Sequence, residues 1–237
     1  MQSLMRRVGQ SPAAIRVVPF VLFVLPLFLQ GALGPGSPFW VYAARTLLGV
    51  GLIWWMRPLV RELRWALSWE AAAVGVLIFL LWVGLDPYTP SLGRILGLVG
   101  LGSGQAGDAP DPGWNPFAVY GDGSTLAWFF IGIRLLGSTF VVPPLEEVFY
   151  RSFLYRYVVR QDFLAMPLNE FRWTSFVLIS AVFGLAHHEW LAGILCGAAY
   201  QWLVLRKGRL GDAITAHAIT NFLLGLWVVG RGAWNFW

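Results

Sequence analysis

Long apolar runs that carry few charges recur along the chain, and they constrain its fold more than any other feature. Of its 237 residues, 57% are apolar and 12% are charged, whereas soluble domains carry about 25% charged residues. Inside lipid, every backbone polar group must be satisfied within a helix or a closed barrel. The sequence therefore predicts an all-α polytopic membrane protein, in which residues 1–237 form a single integral membrane domain with about eight transmembrane helices.

The predicted helices share an apolar interior and ends marked by glycine, proline or charge. They cover residues 17–33, 39–56, 71–85, 126–142, 145–159, 173–187, 190–205 and 210–229. Basic residues before the first helix and between the second and third predict a cytoplasmic N-terminus, with residues 86–124 on the other side. Pro143 and Pro144 predict the end of one helix and the start of the next. Whether 145–159 crosses the membrane or re-enters it stays open.

Charge and cysteine content exclude several classes of function. The net charge of +5 comes from arginines at the ends of apolar runs, so we expect the lipid bilayer as a partner and no nucleic acid. The single cysteine, Cys196, excludes an intrachain disulfide and a cysteine-based metal site. Residues 102–107 read GSGQAG, but a dinucleotide site requires a strand before this motif and a helix after it. We interpret this stretch as a loop.

Two adjacent acids and an arginine interrupt the apolar sequence at residues 146–151. A charge at the centre of a bilayer costs about 2.5–3.5 kcal/mol and therefore suggests a functional site. Glu147 and Arg151 are four residues apart, so they share a helix face and are predicted to form an ion pair. Glu146 lacks this partner and is available for proton chemistry. Alternatively, all three only hold helices together. Arg134 could pair with a buried acid such as Glu147, and Arg45 could do likewise, but both could equally snorkel or face water.

The three histidines lie downstream in apolar segments, and two of them complete a candidate site. His217 and Asn221 are four apart and share a helix face. At about 1.5 Å per residue, His217 lies roughly 10 Å into its helix, a depth at which it can approach His187. Together with Glu146, these groups could deprotonate water and stabilise an oxyanion, as peptide hydrolysis requires. Glu146, His187 and His217 could instead bind zinc.

Three motifs in chain order resemble those of a known family. They are Glu146-Glu147-x-x-x-Arg151, Phe183-x-x-x-His187 and His217-x-x-x-Asn221. This pattern is similar to that of the CPBP (Abi) family of membrane proteases, which includes the Ras-converting CAAX endopeptidase. The resemblance covers approximately residues 125–229, which we interpret as the protease core.

The resemblance implies an intramembrane endopeptidase of the glutamic type that needs no cofactor. Glu146 and His187 would activate the attacking water, and His217 with Asn221 would bind the oxyanion. In the same scheme, Glu147, Arg151 and Phe183 support these groups.

The N-terminal 120 residues more loosely resemble bacterial CAAX-protease-related proteins that accompany exosortase sorting systems. This similarity implies a bacterial inner membrane, a membrane-tethered protein or peptide substrate, and association with an exosortase-type system. Two alternatives to a metal-independent endopeptidase stay open: a zinc-dependent peptidase that uses the same residues, and a noncatalytic membrane binding or immunity protein.

Overall fold

The computed structural model describes residues 2–30, 33–91 and 113–237. Within these ranges the chain is helical and contains no strand, so the predicted all-α fold is confirmed. The predicted loop at 102–107 lies outside the described residues.

The helices are labelled in chain order. They are α1 (Gln2–Gln10), α2 (Ala14–Val24), α3 (Ser37–Met56), α4 (Trp69–Leu85), α5 (Pro116–Tyr120), α6 (Thr125–Phe140), α7 (Val142–Glu147), α8 (Trp173–Leu185), α9 (Trp190–Lys207) and α10 (Gly211–Arg231). A π-helical turn, Val148–Leu154, and a last α-helical turn, Tyr155–Tyr157, follow α7. Short 3₁₀ turns occupy Leu25–Leu29, Asp86–Tyr88, Phe163–Ala165 and Trp234–Phe236.

Local sequence explains several helix boundaries. The Ser68 and Ser124 hydroxyls accept hydrogen bonds from backbone N–H groups in the first turns of α4 and α6, which is the usual role of an N-cap serine. Gly208 and Gly232 end α9 and α10 with φ of +64° and +65°. Glycine adopts this left-handed conformation without the steric cost that a Cβ would add.

Four helical runs in the described part are long and apolar enough to cross a membrane, judged by length and composition. They are Ser37–Met56, Trp69–Tyr88, Thr125–Tyr157 and Gly211–Arg231. Ala14–Leu29 and Trp173–Leu185 are apolar but shorter. The protein is therefore an integral membrane protein of helical type, and the number of about eight crossings stays a prediction.

The predicted helix boundary near Pro143 and Pro144 is confirmed, because α6 ends at Phe140 and α7 begins at Val142. The two helices nevertheless lie in one apolar run, Thr125–Tyr157, and a turn at Val141 (φ −106°, ψ −45°) separates them. Both prolines occupy the first turn of α7, where their missing N–H groups cost little. They therefore start α7 within a continuing helical run instead of starting a separate span.

The centre of the bundle is α10, which packs against α4, α6, α7 and α9. Beside it, α8 and α9 approach closely because small residues face each other. A Cβ at Gly193 would lie 2.8 Å from the Gly184 Cα, and one at Gly197 would lie 3.0 Å from the Ser180 Cα. Small residues allow this close contact between membrane helices. As a result, the chain reversal after α8 is held against the interior of the bundle.

A polar network joins α2 to the π turn and to the last helical turn that follows it. Glu62 lies in the connection between α3 and α4, and its carboxylate contacts Arg16 and Arg156, each at 2.7 Å. Arg16 Nε also donates a hydrogen bond to the Ser152 hydroxyl at 3.0 Å. Burial alone would raise the pKa of Glu62, but Arg16, a backbone hydrogen bond and Arg156 together lower it below its ordinary value of 4.5.

Candidate active site

The two acids of the first motif end α7, and the π-helical turn that follows carries Arg151. Glu147 Oε2 lies 3.2 Å from Arg151 Nε, and the two side chains are 0% and 1% exposed. This is the ion pair expected from their spacing. Arg151 Nη2 also donates to the Gly197 carbonyl at 3.3 Å, and its guanidinium carbon lies 4.2 Å from the centre of the Phe183 ring. Sequence reasoning did not predict the π turn, a feature that often occurs at functional sites.

Glu147 has a second partner that sequence reasoning missed. Its Oε1 lies 3.0 Å from Nδ1 of His217. Because a carboxylate accepts hydrogen bonds, this contact places a proton on Nδ1 and leaves Nε2 facing away from the acid. The His217 ring also stacks on Tyr200, with centroids 5.1 Å apart. Glu147 therefore orients the imidazole as well as neutralising Arg151.

Tyr200 is itself fixed by hydrogen bonds across the bundle. Its hydroxyl donates to Thr220 Oγ1 at 2.7 Å, and Thr220 Oγ1 contacts the Gly75 carbonyl at 2.9 Å. A Cβ at Gly75 would lie 2.7 Å from the Ala216 carbonyl oxygen, so the backbones of α4 and α10 are in close contact. In the sequence, these contacts are signalled only by the presence of polar side chains, Tyr200 and Thr220, within apolar helices.

His187 follows the last turn of α8 and is also held through one ring nitrogen. Its Nδ1 lies 2.7 Å from the Phe183 carbonyl oxygen, which can only accept, so Nδ1 carries the proton. The Phe183 ring packs on the imidazole with centroids 4.7 Å apart, and Trp82 meets it edge-on at 5.6 Å. Nε2 of His187 forms no hydrogen bond within the described part of the chain and is available as a base.

Glu146 differs from its neighbour in having no counterion at contact distance. Among the described residues it forms no ion pair, and its buried Oε2 has no hydrogen-bond partner. It is nevertheless close enough to His187 and Arg45 to interact with both electrostatically. The structure therefore separates the two acids as expected from the sequence: Glu147 contacts Arg151 and His217, whereas Glu146 has no charged partner at contact distance among the described residues.

A cavity of about 600 Å³ brings three of the four predicted catalytic residues together, because His187, His217 and Asn221 all line it. Asn221 Nδ2 donates to the Ser138 carbonyl at 2.8 Å, which leaves its second N–H free for another acceptor. Glu146 is not among the residues that line the cavity. It lies within electrostatic range of His187, which does line it.

Of the two possibilities for Arg134, pairing with Glu147 is not the one that the structure shows. The Arg134 guanidinium instead lies over the rings of Tyr42, Trp114 and Trp237, at 4.9, 4.6 and 5.4 Å from their centres. Arg45 likewise lies over Phe23, at 4.3 Å. Aromatic faces attract a guanidinium through the ring quadrupole, so these arginines are accommodated without a carboxylate. Both line the same cavity as the histidines.

The same side chains bear on the zinc alternative. No group of three His, Cys, Asp or Glu side chains in the described ranges is arranged to hold a metal ion. The contacts of His187 and His217 through Nδ1 leave both Nε2 atoms available, and a zinc-binding histidine commonly donates its other ring N–H to a carboxylate or a carbonyl. The zinc-dependent peptidase therefore stays an alternative.

Fold and site together define an integral membrane protein with a buried carboxylate and imidazole site. Residues 125–223 match the family model described as type II CAAX prenyl endopeptidase, Rce1-like. This part of the chain is therefore similar to a family of peptide-bond hydrolases, and the resemblance to CAAX proteases is confirmed. No curated protein and no solved structure shows significant similarity to the chain.

Proposed function

We propose that the protein is a metal-independent intramembrane endopeptidase of the glutamic type, which cleaves a membrane-tethered protein or peptide precursor. The observation that carries this proposal is the way in which the imidazole rings of His187 and His217 are held. Both line one cavity, and both are fixed through Nδ1, so their Nε2 atoms are left for chemistry. The different acceptors on Nδ1 give the two rings different roles.

His187 and Glu146 are suited to activating water. The His187 Nδ1–H donates to a neutral carbonyl, so the ring remains an uncharged base whose Nε2 can take a proton from water. The unengaged carboxylate of Glu146 can accept a second hydrogen bond from the same water molecule. General base catalysis of this kind contributes about 10²- to 10⁴-fold to a rate.

His217 and Asn221 are suited to binding the oxyanion. The Glu147 carboxylate can compensate a positive charge on the His217 ring, and a doubly protonated imidazole donates from Nε2 while Nδ1 stays bound to Glu147. The free N–H of the Asn221 amide supplies a second donor. Loss of one oxyanion donor costs about 10²- to 10³-fold in kcat in a well-studied protease.

The experiment compares membrane proteins from cells that carry the wild type, Glu146→Gln or a matched control, Glu170→Gln. Glu170 pairs with Arg172 outside the cavity. We expect an uncleaved precursor to accumulate only with Glu146→Gln, while the control matches the wild type. If no peptide terminus changes in the Glu146→Gln cells, the protease function is refuted and the noncatalytic binding alternative is favoured.

Chelation separates the metal-independent mechanism from the zinc alternative. Purified protein in lipid nanodiscs should keep its activity after dialysis against a strong chelator, because the proposed water activation needs only Glu146 and His187. Loss of activity that zinc restores would favour the zinc-dependent peptidase. The bacterial inner membrane and an exosortase-type partner stay part of the proposal, and identification of the precursor tests them.

A further inference from the structure

The connections between the helices gather at two opposite ends of the bundle, and one end holds most of the positive charge. There the start of α4 meets the end of α9, because Lys207 pairs with Glu70 at 2.5 Å. The connection between α3 and α4 meets the last turn of the run that begins with α6, because Glu62 pairs with Arg156 at 2.7 Å. We call this the basic end, since arginine and lysine outnumber the acids in α1 and in residues 57–64, 156–172 and 206–209.

The other end, which we call the cavity end, holds the remaining connections. Trp190 Nε1, at the start of α9, donates to the Pro90 carbonyl beyond α4 at 3.0 Å, and the Trp114 N–H donates to the Trp237 carbonyl at 3.2 Å. The described part of this end carries a single arginine, Arg231, and the acids Asp86, Asp122 and Glu189. Basic residues flank the cytoplasmic ends of membrane helices, so the cavity end faces away from the cytoplasm.

The catalytic cavity extends to the cavity end. Its lining includes Gln30, His188, Glu189 and Asn235, which all come from connections at that end. A second cavity of about 160 Å³ shares His188, Glu189 and Asn235 with it and also touches Asp86, so it continues the first cavity outward. Among the described residues, none from the connections at the basic end lines the catalytic cavity.

Close packing separates the reactive groups from the basic end. His217 lies only about 9 Å along α10 from the start of that helix, but the side chains around this turn are shielded from solvent. The following are each at most 1% exposed: Leu203, Val204, Leu210, Ala213 and Ile214. The Glu147–Arg151 pair, 0% and 1% exposed, closes the side formed by α7. A peptide that approached from the basic end would have to displace these side chains.

We propose that the catalytic cavity opens to the non-cytoplasmic side of the membrane and receives its substrate from that side. The substrate is then a membrane-tethered precursor whose scissile bond lies in a segment that has already been translocated. The choice of a precursor protein rests on the proposed endopeptidase function. The orientation rests only on the charge distribution and the packing.

Thiol labelling in cells tests the orientation without any cleavage. Single cysteines are introduced into the Cys196→Ala variant, which lacks the only native cysteine. Asn235→Cys marks the mouth of the cavity, and Asp162→Cys marks an exposed position at the basic end. A membrane-impermeant maleimide should label Asn235→Cys in intact spheroplasts of a bacterial expression host. It should label Asp162→Cys only in inverted membrane vesicles.

Two variants on α6 test whether the cavity itself is open to that side. Ser138 lines the cavity, whereas the nearby Leu136 is 59% exposed on the outer surface of the bundle. A small charged methanethiosulfonate should modify Ser138→Cys in spheroplasts and leave it unmodified in inverted vesicles. Leu136→Cys should stay unmodified in both, because the reactive thiolate does not form in lipid. Leu224→Cys, at the same cavity wall, takes the place of Ser138→Cys if that variant does not accumulate in membranes.

Labelling of Asp162→Cys in intact spheroplasts, or lack of labelling of Asn235→Cys there, overturns the orientation. Modification of the cavity cysteine from the cytoplasmic side, or from neither side, overturns the proposed opening.

Failure of the endopeptidase function has a different signature. In that case no peptide terminus changes in Glu146→Gln cells, while the labelling pattern persists. If both proposals hold, the termini that change should lie on the non-cytoplasmic side of the membrane segments of the precursors. Termini on the cytoplasmic side would overturn the proposed substrate class.

Discussion

Replacement of Glu147 by Gln should destabilise the protein strongly, although the two side chains have nearly the same shape. The Glu147 side chain is 0% exposed, and its carboxylate contacts both Arg151 and His217. The substitution removes the only acid in the described part of the chain that contacts Arg151, which itself is 1% exposed. Removing one partner of a buried ion pair typically costs about 3–5 kcal/mol, because it leaves an uncompensated charge in the interior.

The size of the loss in the free energy of unfolding depends on which contacts of Arg151 remain after Glu147→Gln. One hydrogen bond to the Gly197 carbonyl, at 3.3 Å, and the contact with the Phe183 ring are retained. These contacts stabilise the guanidinium but supply no negative charge. The contact with His217 weakens at the same time. We therefore expect a loss of about 3–5 kcal/mol in the free energy of unfolding, without a further additive contribution from His217.

The assay is equilibrium unfolding of the purified protein in mixed micelles, followed by tryptophan fluorescence, with Glu170→Gln as the matched control. Glu170 is partly exposed and pairs with Arg172 at the surface, where an ion pair contributes about 0–1 kcal/mol. The control should therefore stay within about 1 kcal/mol of the wild type.

A double variant separates charge from shape. Glu147→Gln combined with Arg151→Met removes both charges, and a buried pair replaced by uncharged groups is often neutral in stability. The double variant should therefore be more stable than Glu147→Gln alone, while its proteolysis stays impaired because His217 still lacks its carboxylate. The reasoning is refuted if Glu147→Gln loses less than about 1 kcal/mol, or if Arg151→Met gives no recovery.

Three further predictions concern other parts of the molecule. The lowered pKa of Glu62 means that its contacts with Arg16 and Arg156 stabilise the fold above about pH 4.5, so acidification should lower the melting temperature of the wild type more than that of Glu62→Gln. Gly184→Ala should cost about 1–3 kcal/mol, because the new Cβ would lie 2.5 Å from a backbone nitrogen of α9. Asn221→Ala should lower kcat about 10²- to 10³-fold with little change in melting temperature.

Each of these predictions has its own control. If the melting temperatures of the wild type and Glu62→Gln fall by the same amount between pH 7 and pH 3, the role given to Glu62 is contradicted. Gly132→Ala adds a methyl group in open space on α6, so Gly184→Ala must be clearly less stable than this variant. Full activity of Asn221→Ala in the same proteomic comparison would remove Asn221 from the oxyanion site.

The first motif illustrates how far sequence reasoning extends into this site. Helical spacing alone gives the Glu147–Arg151 pair and leaves Glu146 without a local partner, because residues four apart share a helix face in any regular helix. The contact between Glu147 and His217 joins residues 70 positions apart. No local rule predicts such a contact, since it depends on how α7 packs against α10.

The prolines and the arginines show where local rules succeed and where they fail. Pro143 and Pro144 correctly predict a helix boundary, because α7 begins at Val142 and holds both prolines in its first turn. A charge in an apolar helix suggests an acidic partner, but Arg134 lies against three aromatic rings contributed by α3, Trp114 and Trp237. These rings come from distant parts of the chain, so no local rule predicts them.

By itself, the sequence determined the helical membrane class, because a backbone in lipid must satisfy its own hydrogen bonds. It also indicated the residue types of the site, because charged side chains in lipid are costly and therefore mark functional positions. Only the tertiary structure decided which acceptor holds each imidazole and which cations share the cavity. These relations depend on the close packing of α4, α8, α9 and α10, where glycines bring backbones into contact. Long-range packing thus turns a set of polar residues into a site with distinct roles.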